Sequence, residues 1–401
     1  MKPLGSLIPL DRAMALVDDH VRPIERKERV RVSRLAQRVL AQDVLSDIDV
    51  PPYNRSAMDG YAVRAEDTFA AGKFQPVELG CVGVVHAGEM PKESVRKGEC
   101  MQIATGAVIP EGADAVVMVE NTERSGRMVQ IFRSVPPGAN VSKRGEDIRR
   151  GSIVLREGEV LLPSKVGVIA ALGIAEAEVY CRPRVSIIPT GDEVSEVGRE
   201  LRPGQVYDIN SHTLSSILLE NGCDPLLHPI VEDTAEALSS ALRDASSSDM
   251  IVLSGGSSAG ERDVLEGVVS QMGHVVFHGV QIKPGKPTIF GTIGDVPLFG
   301  MPGYPTACLT NGYVFLLPAA RKMARLPPRR AEVREVPMAK KYAADIGRHQ
   351  FLTVRIIEGE AHTVFKESGT ITSIANADGW IEIPPNVDIV EKGEMVEVHL
   401  F

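Results

Sequence analysis

Cysteine and aromatic residues are scarce: 401 residues hold 5 Cys, 1 Trp, 7 Tyr and 10 Phe. Cys81, Cys100, Cys181, Cys223 and Cys308 stand far apart, form no C-x-x-C pair and have no histidine at ligand spacing. Neither a zinc site nor a disulfide framework is indicated, and the expectation is reduced, structural thiols. Long hydrophobic runs are also missing. No stretch of about 18 uncharged apolar residues occurs, and the opening MKPLGSLIPLDRAMALVDDHV meets Asp11 and Arg12 before a signal segment could form. A cytoplasmic protein without membrane contact is expected. Positive charge is in deficit, with 44 Lys and Arg against 53 Asp and Glu and a formal net charge of -9. Without a basic excess to neutralise phosphates, nucleic acid is not expected as a partner, and any anion must be held locally.

What is present is an ordinary globular composition, 43% hydrophobic and 24% charged, punctuated by 37 Gly and 27 Pro. The length calls for more than one core and the punctuation for many turns and short strands. Apolar residues recur at helical spacing from Ile8 to Val21, with Asp11 a possible cap, and again from Val32 to Leu45. Residues 75–135 read as short β-prone runs between Gly and Pro. SKVGVIAALGIAEAEVY reads as a helix ending near Gly173 and a strand leading out. From 181 to 326, strands (RVSIIPTG, DMIVLSGG, PTIFG, VPLFGMPG) alternate with helical stretches, the pattern of a parallel, doubly wound α/β sheet. Residues 327–401 return to short strands, a small β-barrel or sandwich. The expected division is therefore a discontinuous helical domain (1–47 with 152–180), an inserted β-rich domain (48–151), a central α/β domain (181–326) and a C-terminal β-barrel domain (327–401).

In an α/β sheet, ligands collect outside the carboxyl ends of the strands. LSGGSSAGERDV ends a strand in Ser254, Gly255 and Gly256, which bares backbone N–H groups to an anion, or alternatively only saves space in a tight turn. Asp263 beside such a loop suggests a bridging Mg²⁺ and is the leading metal ligand. IIPTGDEV sets Thr190, Gly191, Asp192 and Glu193 at the same edge, with Glu193 a second metal candidate and Asp192 an alternative helix cap. VYDINSHTL offers Asp208, Asn210 and Ser211, where capping again competes. In QIKPGKPTIFG, Lys283 and Lys286 flank a Pro-Gly turn that fixes two cations for a multiply charged anion, or alternatively is only a solvated basic turn, which would not need two prolines around a glycine. MPGYPTACL places Pro302 and Pro305 at a strand-to-helix turn whose N-terminus favours anions. NRSAMDGYAV (Ser56, Asp59), IATGAVIPEGADAVV (Thr105, Gly106) and SKRGEDI (Lys143, Arg144, Glu146, Asp147) are three polar loops that read singly as structural and together as an opposite wall of a cleft.

Taken in chain order, from PPYNRSAMDGYAV at residue 51 to MPGYPTACL ending at residue 309, those motifs resemble the molybdopterin molybdenumtransferase family, the molybdenum insertases similar to the E domain of gephyrin. The resemblance implies an elongated four-part homodimer and a reaction in which adenylated molybdopterin and molybdate, with Mg²⁺, give AMP and molybdenum on the pterin dithiolene. It further implies that Asp263, Glu193, Asp59, Asp147 and Thr105 belong to the active site, with Asp233 of IVEDTAEAL a further candidate. Lys283 and Lys286 would contact phosphate or molybdate, and Ser368 or Thr370 would close the site. A molybdopterin adenylyltransferase and apo-molybdoenzymes are the implied protein partners. Two motifs depart from bacterial relatives: Tyr304 replaces the usual Asn of the Pro-Gly-Asn-Pro turn, and Ser142 and Lys143 stand where arginines are common. A non-catalytic scaffold and the preceding adenylyl-transfer step are the competing readings.

Overall fold

The computed structural model describes residues 7–255, 264–364 and 370–401. The chain divides into two compact units, one of Met1–Glu28, Gln37–Val39 and Val179–Phe401, the other of Arg29–Ala36 and Leu40–Glu178.

The second unit is built on a six-stranded sheet in the order Ala115–Met118, Gly60–Val63, Glu99–Ile103, Val77–Val85, Met128–Ile131, Thr122–Ser125. All four residues of Gly60–Val63 are buried, because Tyr61 and Val63 face one apolar cluster while Ala62 faces another. Gly60 is required there, since a Cβ would sit 1.9 Å from the Val117 carbonyl oxygen. Helix Pro163–Ala171 starts on proline and is followed by Gly173 at φ 72, as the sequence indicates. The expected helix over Val32–Leu45 does not form. Only Val32–Arg34 makes a single 3₁₀ turn. Further along, Leu40 N donates to Glu159 O (2.9 Å) and Ala41 N to Glu178 O (3.0 Å), and Val44–Leu45 pairs with Ile153–Leu155. Long-range pairing claims the backbone groups that a helix would need, against the local spacing.

The first unit contains two further six-stranded sheets. One runs Asp224–Leu227, Arg184–Pro189, Met250–Ser254, Val296–Met301, Ile289–Ile293, His274–His278. Alternate residues of its strands feed opposite faces: Val185, Ile187 and Val252 join one cluster, Ile188, Ile251 and Leu253 the other. Helix Asn210–Glu220 supplies Leu214 and Leu218 to the first face, while Ala235–Ala245 and Val264–Met272 supply Leu238, Leu242, Leu265 and Val268 to the second. The doubly wound α/β reading therefore holds, but the sheet is mixed. Its first four strands are parallel, Ile289–Ile293 runs against them and His274–His278 runs with them again, because Gly294, at φ 58, and Asp295 join Ile289–Ile293 to Val296–Met301 as a tight hairpin. Helix Leu10–His20 packs Leu10, Ala13 and Val17 on the first face, with Asp11 inside its first turn rather than capping it. The stretch 304–324 is interrupted: Pro305–Asn311 and Leu317–Met323 are joined by a π turn, Gly312–Leu316. Pro318 has no N–H to continue the ladder, and the wider turn absorbs that loss.

The other sheet runs Ile282–Lys283, His349–Ile357, Gly379–Ile383, Met395–Leu400, Val333–Pro337, with Glu360–Thr363 also on His349–Ile357. A bridge from Met338 to Ala361, with Ala339 N donating to Ala361 O (3.0 Å), links its two ends. Its first strand comes from the α/β region, pairing in parallel with His349 and Gln350. All five cysteines are free, and burial pushes the Cys100 and Cys223 thiols up to about 12. Among the described residues no helix is long and apolar enough to cross a membrane.

Candidate functional site

Strand register brings distant loops to one edge. Pro189 lies opposite Ser254, Ser254 opposite Met301, and Ile289 opposite Gly300. The segments 190–193, 255 and 302–305 leave the sheet there, and 283–288 enters it there. Thr190 N donates to Ser254 O (2.9 Å) and Gly255 N to Met301 O (3.2 Å), extending the ladder by one residue. Gly255 has φ 104, and a Cβ on it would lie 2.4 Å from the Thr190 carbonyl oxygen. Bare backbone is thus a steric requirement at this point. Gly303 crosses close by, since a Cβ built on it would be 3.7 Å from Gly255 Cα. Asn210 Nδ2 donates to Gly303 O (2.9 Å), tying the turn of Pro302 and Pro305 to helix Asn210–Glu220.

Around this backbone, Thr190 Oγ1, Asn210 Oδ1 and Asp233 Oδ1 are buried and, among the described residues, meet no partner at good hydrogen-bond geometry. Buried polar atoms in that condition are uncommon and costly. Asp233 is held beside Thr190 because Val231 bridges Thr190 and accepts from Gly191 N (3.3 Å). Burial raises its pKa, the charges of Glu193 and Asp192 act in the same direction, and the nearby Thr190 hydroxyl partly offsets them. Glu193 and Asp192 are exposed. Asp192 caps no helix, because strand Val194–Ser195 follows it. Asp208 does cap: its Oδ1 accepts from Ser211 N at 3.1 Å.

The lysine turn is pinned from within the fold. Gly285, at φ 105, offers its carbonyl to Asn311 Nδ2 (3.0 Å) and Thr288 Oγ1 (2.8 Å), and Asn311 Nδ2 also donates to Thr288 Oγ1. A Cβ on Gly285 would strike the Asn311 side chain at 2.3 Å. Lys283 Nζ donates to Asp345 Oδ2 at 2.7 Å, which holds the Asp345 carboxyl below its usual range. Lys286 is half-buried.

In the other unit, the three polar loops meet. Gly106 N donates to Ser56 O (2.8 Å), Ser56 N to Ala107 O (2.9 Å) and Ala57 N to Asn140 O (2.9 Å). Asp59 Oδ1 accepts from Thr105 N (2.7 Å) and Thr105 Oγ1 (2.9 Å), bonds that hold its pKa down. Arg144 Nε donates to Asp49 Oδ2 (2.7 Å), and Arg144 N to Asn54 Oδ1 (2.9 Å). Asp49 Oδ1 accepts from Arg150 N at 2.9 Å, and Glu146 Oε2 accepts from Lys143 N at 2.9 Å. Asp147 is exposed, its N–H donating to Val50 O (3.1 Å).

Asp59, Thr105, Arg144 and Asp147 thus gather in one unit, while Glu193, Ser254, Gly255, Asp208, Lys283, Lys286, Pro302 and Pro305 belong to the other. Gly256, Asp263 and Ser368 lie outside the described residues. Among the described residues no three His, Cys, Asp or Glu side chains gather as a metal cluster. Sequence reasoning missed Asp345, Asn311 and Asp49. Asn311 sits mid-helix in an apolar stretch and Asp345 in AADIGRHQ, and neither context carries a signal.

Compared with known proteins, residues 8–173 match the MoeA N-terminal region (domain I and II), residues 186–322 a probable molybdopterin binding domain, and residues 335–401 the MoeA C-terminal region (domain IV). The chain belongs to the MoeA family. It is 31% identical to the molybdopterin molybdenumtransferase of Bacillus subtilis (strain 168), over 98% of this chain and 94% of that one. Identity to the Haemophilus influenzae molybdopterin molybdenumtransferase is 34%, covering 79% of this chain and 78% of the relative. The crystal structure of a molybdopterin biosynthesis MoeA protein from Pyrococcus horikoshii superposes with a TM-score of 0.85 at 38% identity, covering 98% of this chain and 99% of that chain. A MoeA-type multidomain fold with a central molybdopterin-binding α/β region, in an enzyme of the molybdenumtransferase family, follows from these matches.

Proposed function

We propose that this MoeA-family chain inserts molybdenum from molybdate into adenylated molybdopterin and releases AMP, completing molybdenum cofactor synthesis. The observation that carries the reading is the convergence, at one sheet edge, of the open backbone at Gly255 and Gly303, buried polar atoms of Thr190, Asn210 and Asp233 that lack a partner among the described residues, and the lysine turn. Such an edge can hold a phosphoanhydride and a tetrahedral oxyanion together: backbone N–H groups and lysine ammonium groups offset charge that develops on the departing phosphate. Ser254, Gly255 and Gly256 would cradle phosphate, with Asp208, Pro302 and Pro305 shaping the pocket.

The donors fit Mg²⁺. Asp233 Oδ1 is a buried carboxylate oxygen without a partner of good geometry among the described residues, in the field of Glu193, and hard oxygen ligands of this kind suit that ion. Asp233 and Glu193 would hold it, together with Asp263; when bound, it would neutralise charge on the phosphoanhydride. Asp59, Thr105, Asp147 and Arg144 would form a second wall, supplied across a homodimer, and Ser368 a closing contact. The chain would divide into four domains, 1–47 with 152–180, 48–151, 181–326 and 327–401. A cytoplasmic adenylyltransferase would deliver the substrate and apo-molybdoenzymes would receive the product.

Incubation with adenylated molybdopterin, molybdate and Mg²⁺ should release AMP only when all three are present. ATP consumption without molybdate would replace this reading with adenylyl transfer, and tight pterin binding without turnover would replace it with a scaffold.

A further inference from the structure

Two cysteines that stand apart in the sequence meet in the β-rich unit. Strands Val77–Val85 and Glu99–Ile103 run parallel with Cys81 opposite Cys100, so both side chains leave the same face of the sheet. They face one apolar cluster, Cys100 wholly buried in it and Cys81 half-buried against it. The Cys81 side chain hydrogen-bonds the Cys100 thiol, and its Sγ also donates to Gly83 O at 3.4 Å. The Cys223 and Cys308 thiols, in contrast, are pushed up by burial and by nearby carboxylates rather than by a second sulfur. Neighbouring strands lie about 4.8 Å apart, inside the Cα separation of roughly 4.4–6.8 Å that a disulfide spans. The register shifts between Cys81 and Gly83, and Gly80 and Gly83 flank Cys81 in ELGCVGVV. A bulge with glycine on both sides gives the backbone the freedom that closing a sulfur–sulfur bond needs. On the other side, pairing with Met128–Ile131 runs from Val77 to Gly80, and Cys81 N donates to Arg127 O (2.7 Å), so Cys81 stands where that hairpin ends.

We propose that Cys81 and Cys100 form a redox-active dithiol, a modification site at which a peroxide converts the pair to an intramolecular disulfide that staples the two strands. The order of events follows from access. Cys81 is the half-exposed sulfur: its thiolate attacks one oxygen of hydrogen peroxide, the O–O bond breaks, and a sulfenic acid forms as the other oxygen leaves as water after taking up a proton. The Cys100 sulfur then attacks the Cys81 sulfur, the S–O bond breaks, and the hydroxyl leaves with the Cys100 proton as a second water. Two thiols and one hydrogen peroxide thus give one disulfide and two waters. Burial pushes the Cys100 thiol up to about 12, which keeps it protonated and unreactive until a sulfenic acid stands beside it. The charge of Arg124 pulls that thiol the other way and favours its ionisation in the second step. Closing the ring from 81 to 100 restrains Glu99–Ile103, the strand that runs on to Thr105 and its two bonds with Asp59. A dithiol reductant reverses the bond.

The test treats the full-length chain with hydrogen peroxide in a Cys181→Ser background, which removes the other half-buried thiol and leaves four of the five. Thiols are counted after denaturation, and peptides are mapped by mass spectrometry without reduction. The count should fall from four to two, with a peptide pair joined through Cys81 and Cys100 and about 2 Da lighter than the free peptides together, and dithiothreitol should restore both. Cys100→Ala should leave Cys81 as a sulfenic acid that dimedone traps in several-fold higher yield than in the parent, because nothing resolves it. Cys81→Ser should leave Cys100 reduced. Peroxide that carries Cys81 on to the sulfinic acid while Cys100 stays a thiol would overturn the inference, as would a disulfide found only between two chains. Four thiols still titrating at a peroxide dose that oxidises free glutathione would overturn it equally. Should Cys100→Ala not fold, the peptide map of the Cys181→Ser protein decides alone, since it needs no change at either sulfur of the pair.

Discussion

The carboxyl edge of the α/β sheet and the loop cluster of the β-rich unit both gather acids, hydroxyls and cations, yet they differ in how those groups are satisfied. In the loop cluster the polar groups answer one another: Asp59 with Thr105, Asp49 with Arg144 and Arg150, Glu146 with Lys143. At the sheet edge, Thr190, Asn210 and Asp233 each keep a buried atom that has no partner among the described residues. Folding alone accounts for the first arrangement. The second leaves polar atoms open among the described residues, and unsatisfied buried groups of that kind call for an explanation such as a ligand. The lesson is that polarity of sequence does not separate the two, whereas hydrogen-bond satisfaction does.

The largest effect that would break this contrast comes from Asp233→Asn. If the edge is the reacting centre, molybdate-dependent AMP release should fall by about a hundredfold or more, the size seen when an electrostatic group at a reaction centre is removed. The same variant should be more stable than the parent at neutral pH, by about 1 kcal/mol. The sign follows from the raised pKa of Asp233. The folded state favours the protonated acid, so that contribution is fully present below the ordinary carboxylate range and is lost as pH rises through the elevated value. Melting curves at pH 7 and near pH 3 should show the gain at the first and not at the second.

Gly255→Ala should come next, losing about 2–3 kcal/mol in chemical denaturation because the new Cβ meets the Thr190 carbonyl in a backbone region that disfavours side chains. Gly126→Ala, also at positive φ but with open space around it, should lose less, and equal losses would remove the steric argument for the edge. The smallest effect is expected from Asp59→Asn, where turnover should fall about tenfold through a marginal charged contact. Its lowered pKa means that its support for the fold is present above the ordinary carboxylate range and disappears as the pH drops through the depressed value. Unchanged turnover with acid stability altered would assign the loop cluster to structure alone.

Much of the α/β region was legible because its signals are local. RVSIIPTG and DMIVLSGG are apolar strands closed by glycine, and parallel register then brings their ends together without further information. That register places Glu193, Gly255 and the 283–288 turn at the same edge, as the strand ends imply. The failures share the opposite cause. Val32–Leu45 has helical spacing, yet Leu40 and Ala41 spend their N–H groups on Glu159 and Glu178, far away in sequence. The antiparallel strand Ile289–Ile293 depended on reading Gly294 and Asp295 as a hairpin rather than a loop. Asp345 became visible only when the turn it braces was seen to enter another sheet.

The most direct test of the central claim is the anomalous scattering of molybdenum in crystals of the protein grown with adenylated molybdopterin and molybdate. The account predicts a peak beside Lys286 and the Gly255–Gly303 crossing; a peak among the loops that carry Asp59 and Arg144, with none at the sheet edge, would contradict it.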